Sequence, residues 1–354
     1  MTPRILRRLS PKRLIWPIVL GLGVVTWLFI DSFDREAFAR INWTWRSLVL
    51  LILAFGCMFV RDIAYMYRMR LLTGGRISYR RSLGIALLWE FGSAVTPASL
   101  GGSPLAVLLL SKSGLGAGRS TAVVMFCLFL DGLVFILAIP LLVIILGRIV
   151  IAPPMHYFHD IAIQGIVQGL IVASIVSFCI YTTWTAILGY GLFVNPKGIK
   201  RLLYRVFSMR FLKRWQKGAI RAGSDIIIAS AEIREKTAWY WLRAFIATAC
   251  SWTGRFMVAI MLLMMFFPGT IDWLLVMGRQ AIMQVLLMST PTPGASGIAE
   301  LSLPTFLVEY VPGGLEAPMS LLWRGITYYM YLFIGVYLLP RWLKRLFSTG
   351  RGNA

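Results

Sequence analysis

The sequence has few of the residues that enzymes most often use for chemistry. Its 354 residues include two histidines and four cysteines, and it contains no Ser/His/Asp set, P-loop or H-E-x-x-H motif. The cysteines are isolated in apolar runs without the spacing of a zinc site, so we interpret them as packing residues. His156 and His159 form an H-x-x-H pattern with only Asp160 nearby, which is too few ligands for a metal site. We therefore expect no catalytic residues, no cofactor and no metal.

Acidic residues are also scarce. There are 14 of them against 36 lysines and arginines, which gives a net charge of +22. The chain is 58% hydrophobic, above the roughly 45–50% that is usual for soluble domains. No nucleic-acid-binding motif is visible, and the tendency of membrane proteins to keep basic loops in the cytoplasm explains the charge. The composition predicts an all-α polytopic membrane protein with no nucleic-acid partner.

Six apolar runs are long enough to cross a bilayer core about 30 Å thick. They are residues 14–30, 47–67, 120–147, 161–192, 237–267 and 319–339. The first run has basic residues before it but no A-x-A cleavage site after it, so it predicts an uncleaved span. With both termini in the cytoplasm, 28 of the 36 basic residues fall on the cytoplasmic side and four in outside loops. In this topology Arg61 and Asp62 are expected to form an interfacial pair and Arg68 to mark the cytoplasmic boundary.

Two further apolar stretches, 82–110 and 273–310, are interrupted by segments rich in Pro, Gly and Ser at 90–104 and 290–300. Irregular backbone at membrane depth survives only where it is buried in protein or lines a cavity. Because arms of about 10–14 residues rising 1.5 Å each are too short to span, we predict two re-entrant hairpins. The alternative is a single broken span, which would place the basic segment 195–236 outside.

The hairpins divide the chain into two similar halves, residues 1–152 and 153–354. The first hairpin enters from the cytoplasm and the second from outside. This arrangement is an inverted-topology repeat, the plan of many secondary transporters.

Each break ends in a sequence typical of a helix start. Ser103 is predicted to cap a helix whose first residue is Pro104, and Gly101 and Gly102 permit close backbone approach. The second break has Pro293, Gly294 and Gly297 before its second arm. Helix starts near mid-membrane point free N–H groups into any cavity there and favour an anionic group. The alternative is that both breaks only allow helices to pack.

Charged residues within apolar runs indicate function by default, because they are costly to bury in a membrane. They are Glu90, Asp131, Arg279, Glu300 and Arg324. The arginines are suited to a phosphate and the acids to an amine or a coupling proton. The alternative is that these residues pair with one another and fasten helices together. Arg243 and Arg255 lie close enough to a cytoplasmic helix start to extend towards the interface.

Several motifs occur in an order that resembles a known family. They are Pro97, Gly101 and Gly102 in the first hairpin, Asp131 in the next span, Pro291 to Glu300 in the second hairpin, and Trp323-Arg324 in the last span. Together they resemble the lysylphosphatidylglycerol synthase transmembrane region, also called the flippase-like domain or UPF0104 family, over residues 14–345. The family includes the membrane half of the bacterial multiple peptide resistance factor.

The resemblance implies a two-hairpin fold with a central cavity and lipid translocation between leaflets. It places ten residues in that cavity: Glu90, Pro97, Gly101, Gly102, Asp131, Pro293, Gly294, Gly297, Glu300 and Arg324. No aminoacyl-transferase sequence follows in the 354 residues, so lysyl-lipid synthesis is not expected.

We expect a lipid flippase-like transporter in the bacterial cytoplasmic (inner) membrane. Its substrate would be a phospholipid or lipid-linked molecule with an anionic or zwitterionic headgroup. Without an ATPase motif, transport would be gradient-driven or passive. The alternatives are a membrane enzyme acting on a lipid headgroup and a scaffold that binds a separate lipid-modifying enzyme. The chain is also a candidate homo-oligomer.

Overall fold

The computed structural model of the protein describes residues 44–96, 102–195, 198, 201, 227, 230–267 and 269–348. The predicted first span, Pro97, Gly101 and most of the basic segment 195–236 lie outside these residues. Within the described residues the chain is helical and contains no β-strand. The helices are α1 (Trp45–Leu72), α2 (Tyr79–Val95), α3 (Ser103–Leu110), α4 (Ala117–Leu146), α5 (Ile161–Gly189), α6 (Ala238–Phe266), α7 (Trp273–Ser289), α8 (Ile298–Phe306), α9 (Glu316–Arg324) and α10 (Met330–Ser348).

Four of the helices are long and apolar enough to cross a membrane. They are α1, α4 with the 3-10 turn that follows it, α5 with the π-helical turn Tyr190–Val194, and α6. They coincide with four of the runs predicted from the sequence. The predicted last span, 319–339, lies within a helical stretch from α9 to α10 that a π-helical turn, Gly325–Tyr329, divides.

Each break separates a longer helix from a shorter one. The first arms, α2 and α7, have 17 residues each, or about 26 Å at 1.5 Å per residue, so they are longer than we expected. The second arms, α3 and α8, have eight and nine residues. Asp272 fixes the start of α7, because its carboxylate accepts hydrogen bonds from Leu274 N and Leu275 N at 3.0 and 3.1 Å. That both arms of a hairpin enter from one membrane face stays a prediction.

Helix packing brings the two halves of the chain together. α1 packs against α6 and α2, and α2 packs against α10. Gly254 makes the α1–α6 contact close, since a Cβ there would lie 2.9 Å from the carbonyl oxygen of Cys57. On the other side, α7 packs against α4 and α5. The centre of this arrangement holds most of the buried charges of the described chain.

Candidate functional site

A cavity of about 150 Å³ lies between the helices. Three arginines and two acids line it: Arg61 of α1, Arg255 of α6, Arg324 of α9, Glu90 of α2 and Asp131 of α4. Most of these side chains lie near the middle of apolar helices, where water is normally excluded. Charges at such depth persist only when they are paired or reach a polar cavity.

Glu90 joins three helices. Its carboxylate accepts hydrogen bonds from Arg61 Nη2 at 2.5 Å and from Arg255 Nη1 at 2.7 Å. Arg61 also donates to Asp62 at 2.7 Å, and the hydroxyl of Tyr331 donates to both Asp62 oxygens at 2.9 Å. The Glu90 side chain keeps 22% of its surface exposed, so the pair faces the cavity.

Asp131 forms a second cluster on the cavity wall. Its carboxylate accepts hydrogen bonds from Arg68 Nη1 at 2.5 Å and from Trp252 Nε1 at 3.0 Å. Arg68 itself is fully buried and donates a further hydrogen bond to the hydroxyl of Thr248 at 3.1 Å. This cluster therefore connects α1, α4 and α6 through one carboxylate.

The third cluster is built on the second break. Glu300 accepts from Arg324 Nε at 2.8 Å, and Arg324 Nη2 donates to the carbonyl oxygen of Gly294 at 3.1 Å. Glu300 also accepts a hydrogen bond from the backbone N–H of Gly297 at 2.7 Å. The start of α8 is thus capped by the chain's own carboxylate, which offsets the positive end of the helix dipole.

The backbone conformation and the packing at position 294 both require glycine. Its φ of +59° is a left-handed conformation, and a Cβ there would lie 2.1 Å from the ring of Tyr328. That ring stacks on the Arg324 guanidinium, 3.8 Å from its centre, and the Tyr328 hydroxyl donates to the carbonyl oxygen of Ala94 at 3.1 Å. Ala94 lies at the end of α2, so Tyr328 joins the two breaks.

The twelve residues singled out from the sequence divide into four groups. Glu90, Asp131, Gly294 and Arg324 line the cavity. Pro293, Gly297 and Glu300 lie beside it without lining it, and Pro97 and Gly101 lie outside the described residues. Gly102, Ser103 and Arg279 are not part of the lining.

The expected helix cap at Ser103 is wrong. Gly102 holds the cap position of α3 and Ser103 is already helical, with no hydrogen bond to its hydroxyl from the described residues. The physical reason is close packing against α2. A Cβ at Gly102 would lie 2.3 Å from Ser93 Oγ and 2.5 Å from the carbonyl oxygen of Trp89, so only a residue without a side chain fits at the cap position of α3.

Arg279 is held away from the cavity. Its guanidinium is fully buried and forms an ion pair with Glu309, in which Arg279 Nη2 lies 2.9 Å from Glu309 Oε1. It also donates to the carbonyl oxygens of Phe306 at 2.9 Å and Ile149 at 3.1 Å. This geometry fastens α7 to the segments after α8 and α4.

Three arginines of the clusters were missed by the sequence reasoning. The predicted pair of Arg61 with Asp62 is present, and Arg61, which is 5% exposed, also pairs with Glu90. Arg68 is fully buried and pairs with Asp131. The placement of these residues at a membrane boundary stays a prediction. Arg255 lines the cavity rather than extending towards the interface. One signal was available: Arg61 and Arg68 are seven residues apart, which places them on one face of a helix.

The clusters are close to electrically neutral. They hold four arginines, Arg61, Arg68, Arg255 and Arg324, and four acids, Asp62, Glu90, Asp131 and Glu300. The part that lines the cavity has one more arginine than acid. Within the described residues no group of three His, Cys, Asp or Glu side chains is placed to hold a metal ion. The site can therefore bind an anion or a zwitterion by exchanging one ionic partner for another.

Comparison with known proteins places these observations in a family. Residues 14–335 match the model of the lysylphosphatidylglycerol synthase TM region. A UPF0104 membrane protein of Archaeoglobus fulgidus is 28% identical over 306 residues, which cover 84% of this chain and 86% of that protein. No solved structure matches the chain. The apolar helices and the family together indicate a multi-pass membrane protein, and the chain belongs to the lysylphosphatidylglycerol synthase transmembrane region family.

Proposed function

We propose that the protein is a flippase-like transporter that moves a lipid with an anionic or zwitterionic headgroup between leaflets through the central cavity. The observation that carries the proposal is the charged cavity itself. Arg61, Arg255 and Arg324 line it together with Glu90 and Asp131, among helices whose outer surfaces are apolar. The family's link to lipid handling supports the same reading. The proposed location is the bacterial cytoplasmic membrane.

The ion pairs supply binding energy without leaving bare charges in the empty site. Glu90 keeps Arg61 and Arg255 compensated while no ligand is present. A phosphate entering the cavity would take over donors from these guanidiniums, whose planar geometry suits bidentate contacts. The released carboxylate could then receive the amine of a zwitterionic headgroup. Exchange of this kind keeps the energy of the loaded and empty states similar, which a transporter requires.

We assign Glu90 and Asp131 to headgroup binding, because both line the cavity and each accepts hydrogen bonds from an arginine. Glu300 does not line the cavity, and we assign it to holding Arg324 in place.

The test is a leaflet assay in proteoliposomes with fluorescent phosphatidylglycerol and phosphatidylethanolamine. Arg255→Ala removes a cavity arginine from α6, and Arg243→Ala is a matched control. Arg243 lies on the same helix, is exposed and stacks on Trp239 at 4.9 Å. A charged hydrogen bond contributes about 1.5–3 kcal/mol, so Arg255→Ala should slow translocation by roughly tenfold or more.

The control variant should move lipid at the wild-type rate. Arg324→Ala should also slow translocation, and it should lower stability more than Arg255→Ala because it leaves the fully buried Glu300 without its arginine. Translocation in wild-type proteoliposomes no faster than in protein-free liposomes, or equal rates in the two α6 variants, would contradict the proposal.

A further inference from the structure

The two sides of the cavity differ in chemistry. The lining from α1, α2, α6 and α9 carries three arginines and a glutamate among aromatic rings. The lining from α4, α5 and α7 carries one charge, Asp131, and one amide, Gln284, and is otherwise apolar or aromatic: Leu128, Tyr181, Trp184, Leu287 and Met288. A cavity with a charged side and an apolar side suits an amphiphile better than a water-soluble ion.

Trp184 connects the apolar side with the outer surface of the protein. It lines the cavity and is also 38% exposed. Its neighbours one turn away on α5, Ile180 and Ile187, are 60% and 57% exposed and do not line the cavity. The cavity wall and the apolar outer surface of α5 therefore meet at Trp184.

The depth of Trp184 indicates what it faces. The helical stretch Ile161–Val194 has 34 residues, so Trp184 lies about 10 Å from its midpoint at 1.5 Å per residue. Half of a bilayer core is about 15 Å thick. If this span is centred in the bilayer, the edge of the cavity at Trp184 lies at the level of the lipid tails.

The size of the cavity limits how much of a lipid can enter. Its volume of about 150 Å³ is smaller than the roughly 300–1,000 Å³ of pockets that enclose a whole drug-sized ligand. A phospholipid with two acyl chains can place its headgroup there, and its chains must remain outside.

We propose that α5 forms the edge of a lateral opening at Trp184, through which a lipid headgroup enters the cavity sideways while its acyl chains stay in the bilayer. This inference rests on the proposed function and deepens it, since it identifies the route and restricts the substrate to membrane amphiphiles. The aromatic rings of Tyr181 and Trp184 suit such an edge, because they combine an apolar body with a polar group. A headgroup would pass between them and the apolar residues of α4 and α7.

Site-specific photocrosslinking tests the opening. The full chain carrying Trp184→Bpa, where Bpa is p-benzoyl-phenylalanine, is irradiated in liposomes of phosphatidylglycerol and phosphatidylethanolamine. Phospholipase C then separates two kinds of adduct by mass. An adduct attached through the headgroup keeps the phosphate and loses diacylglycerol, whereas one attached through a chain keeps diacylglycerol. Ile180→Bpa and Ile187→Bpa are the matched controls one turn to either side.

Trp184→Bpa should give a several-fold larger share of headgroup adducts than either control. Adding Arg255→Ala should reduce that share, because the arginine that draws the headgroup inwards is lost. A share at Trp184 no larger than at both controls would overturn the proposal. Tyr181→Bpa provides a second reporter on the cavity side, for which the same results are expected if the Trp184 variant does not fold.

The experiment separates the two proposals. Normal lipid translocation with only chain adducts at residues 181 and 184 would reject the lateral opening and leave the proposed function standing. Headgroup adducts at these residues without translocation would support the opening as a lipid-binding site and reject transport.

Discussion

Two kinds of ion pair occur among the apolar helices of this protein. The Glu90 pairs face the central cavity, and the Arg279–Glu309 pair lies away from it. Arg279 is completely buried and bonds to two carbonyl oxygens besides Glu309, whose side chain keeps 14% of its surface exposed. In the Glu90 pairs the glutamate keeps 22% of its surface exposed, and Arg61 and Arg255 keep 6% and 14%. The Arg279 guanidinium has all its partners within the protein, while the groups around Glu90 also face the cavity, where we propose that a ligand exchanges with them. On this proposal, a charge in an apolar run indicates function only when it also reaches a space that a ligand can enter.

The largest loss of stability is expected when the buried Arg279–Glu309 pair is broken. Arg279→Leu leaves Glu309 without its partner and removes donors from Phe306 and Ile149. Removing one member of a buried pair typically destabilises a protein by about 3–5 kcal/mol. We expect a strongly lowered unfolding temperature in detergent, measured by thermal unfolding of the purified protein.

Headgroup selectivity is the control for this prediction. The fraction of Arg279→Leu protein that remains folded should translocate anionic and zwitterionic lipids in the wild-type ratio. The double variant Arg279→Leu/Glu309→Leu should recover part of the lost stability, because no uncompensated carboxylate remains. A changed headgroup ratio in the folded fraction would show that the Arg279–Glu309 pair also takes part in headgroup recognition.

Breaking the Glu90 pairs should change headgroup selectivity more than stability. Glu90→Gln keeps the shape of the side chain but leaves Arg61 and Arg255 without their shared negative charge. We expect anionic headgroups to gain over zwitterionic ones by about tenfold, which corresponds to roughly 1.4 kcal/mol, with a smaller loss of stability than in Arg279→Leu. The measurement is the ratio of phosphatidylglycerol to phosphatidylethanolamine translocation.

Glu235→Gln is the matched control, because it removes the same charge from an exposed position. It should leave the ratio unchanged. If Glu90→Gln also left the headgroup ratio unchanged and instead unfolded the protein, the Glu90 cluster would only hold helices together, as the Arg279–Glu309 pair does.

The long helices were predictable because each corresponds to one long run of consecutive apolar residues. The runs 47–67, 120–147, 161–192 and 237–267 each fall largely within one observed helix or its continuation. The two breaks were also visible, since Pro and Gly interrupt helices wherever they cluster.

The partners of the charges were not predictable in this way. Arg61 and Glu90 meet because α1 packs against α2, and Arg255 reaches them because Gly254 lets α6 approach α1 closely. These contacts depend on tertiary packing, which no local pattern records. The sequence therefore placed Arg61 and Arg68 near a membrane boundary without revealing that Glu90 and Asp131 are their partners in the protein interior. The cap at Ser103 failed for a similar reason, since the contact between Gly102 and α2 decides where α3 begins.

The smallest effect on stability is expected for an ion pair at the surface, where it is in contact with water. Arg119 donates to Glu232, whose side chain is 40% exposed, and Arg76 lies 3.9 Å from the same carboxylate. The hydrogen bond from Arg119 holds the pKa of Glu232 below its usual value. A lowered pKa in the folded state gives stability that is present above the unfolded pKa of about 4.3 and is lost as the pH falls through the folded pKa.

Glu232→Gln should reduce the free energy of unfolding at pH 7 by at most about 1 kcal/mol, less in high salt, and should weaken the loss of stability on acidification. Thermal unfolding at pH 7 and pH 4, in low and high salt, measures both effects. A loss at pH 7 as large as that of Arg279→Leu would mean that exposure does not rank the ion pairs of this protein, and the distinction between sealed and open pairs would fail with it.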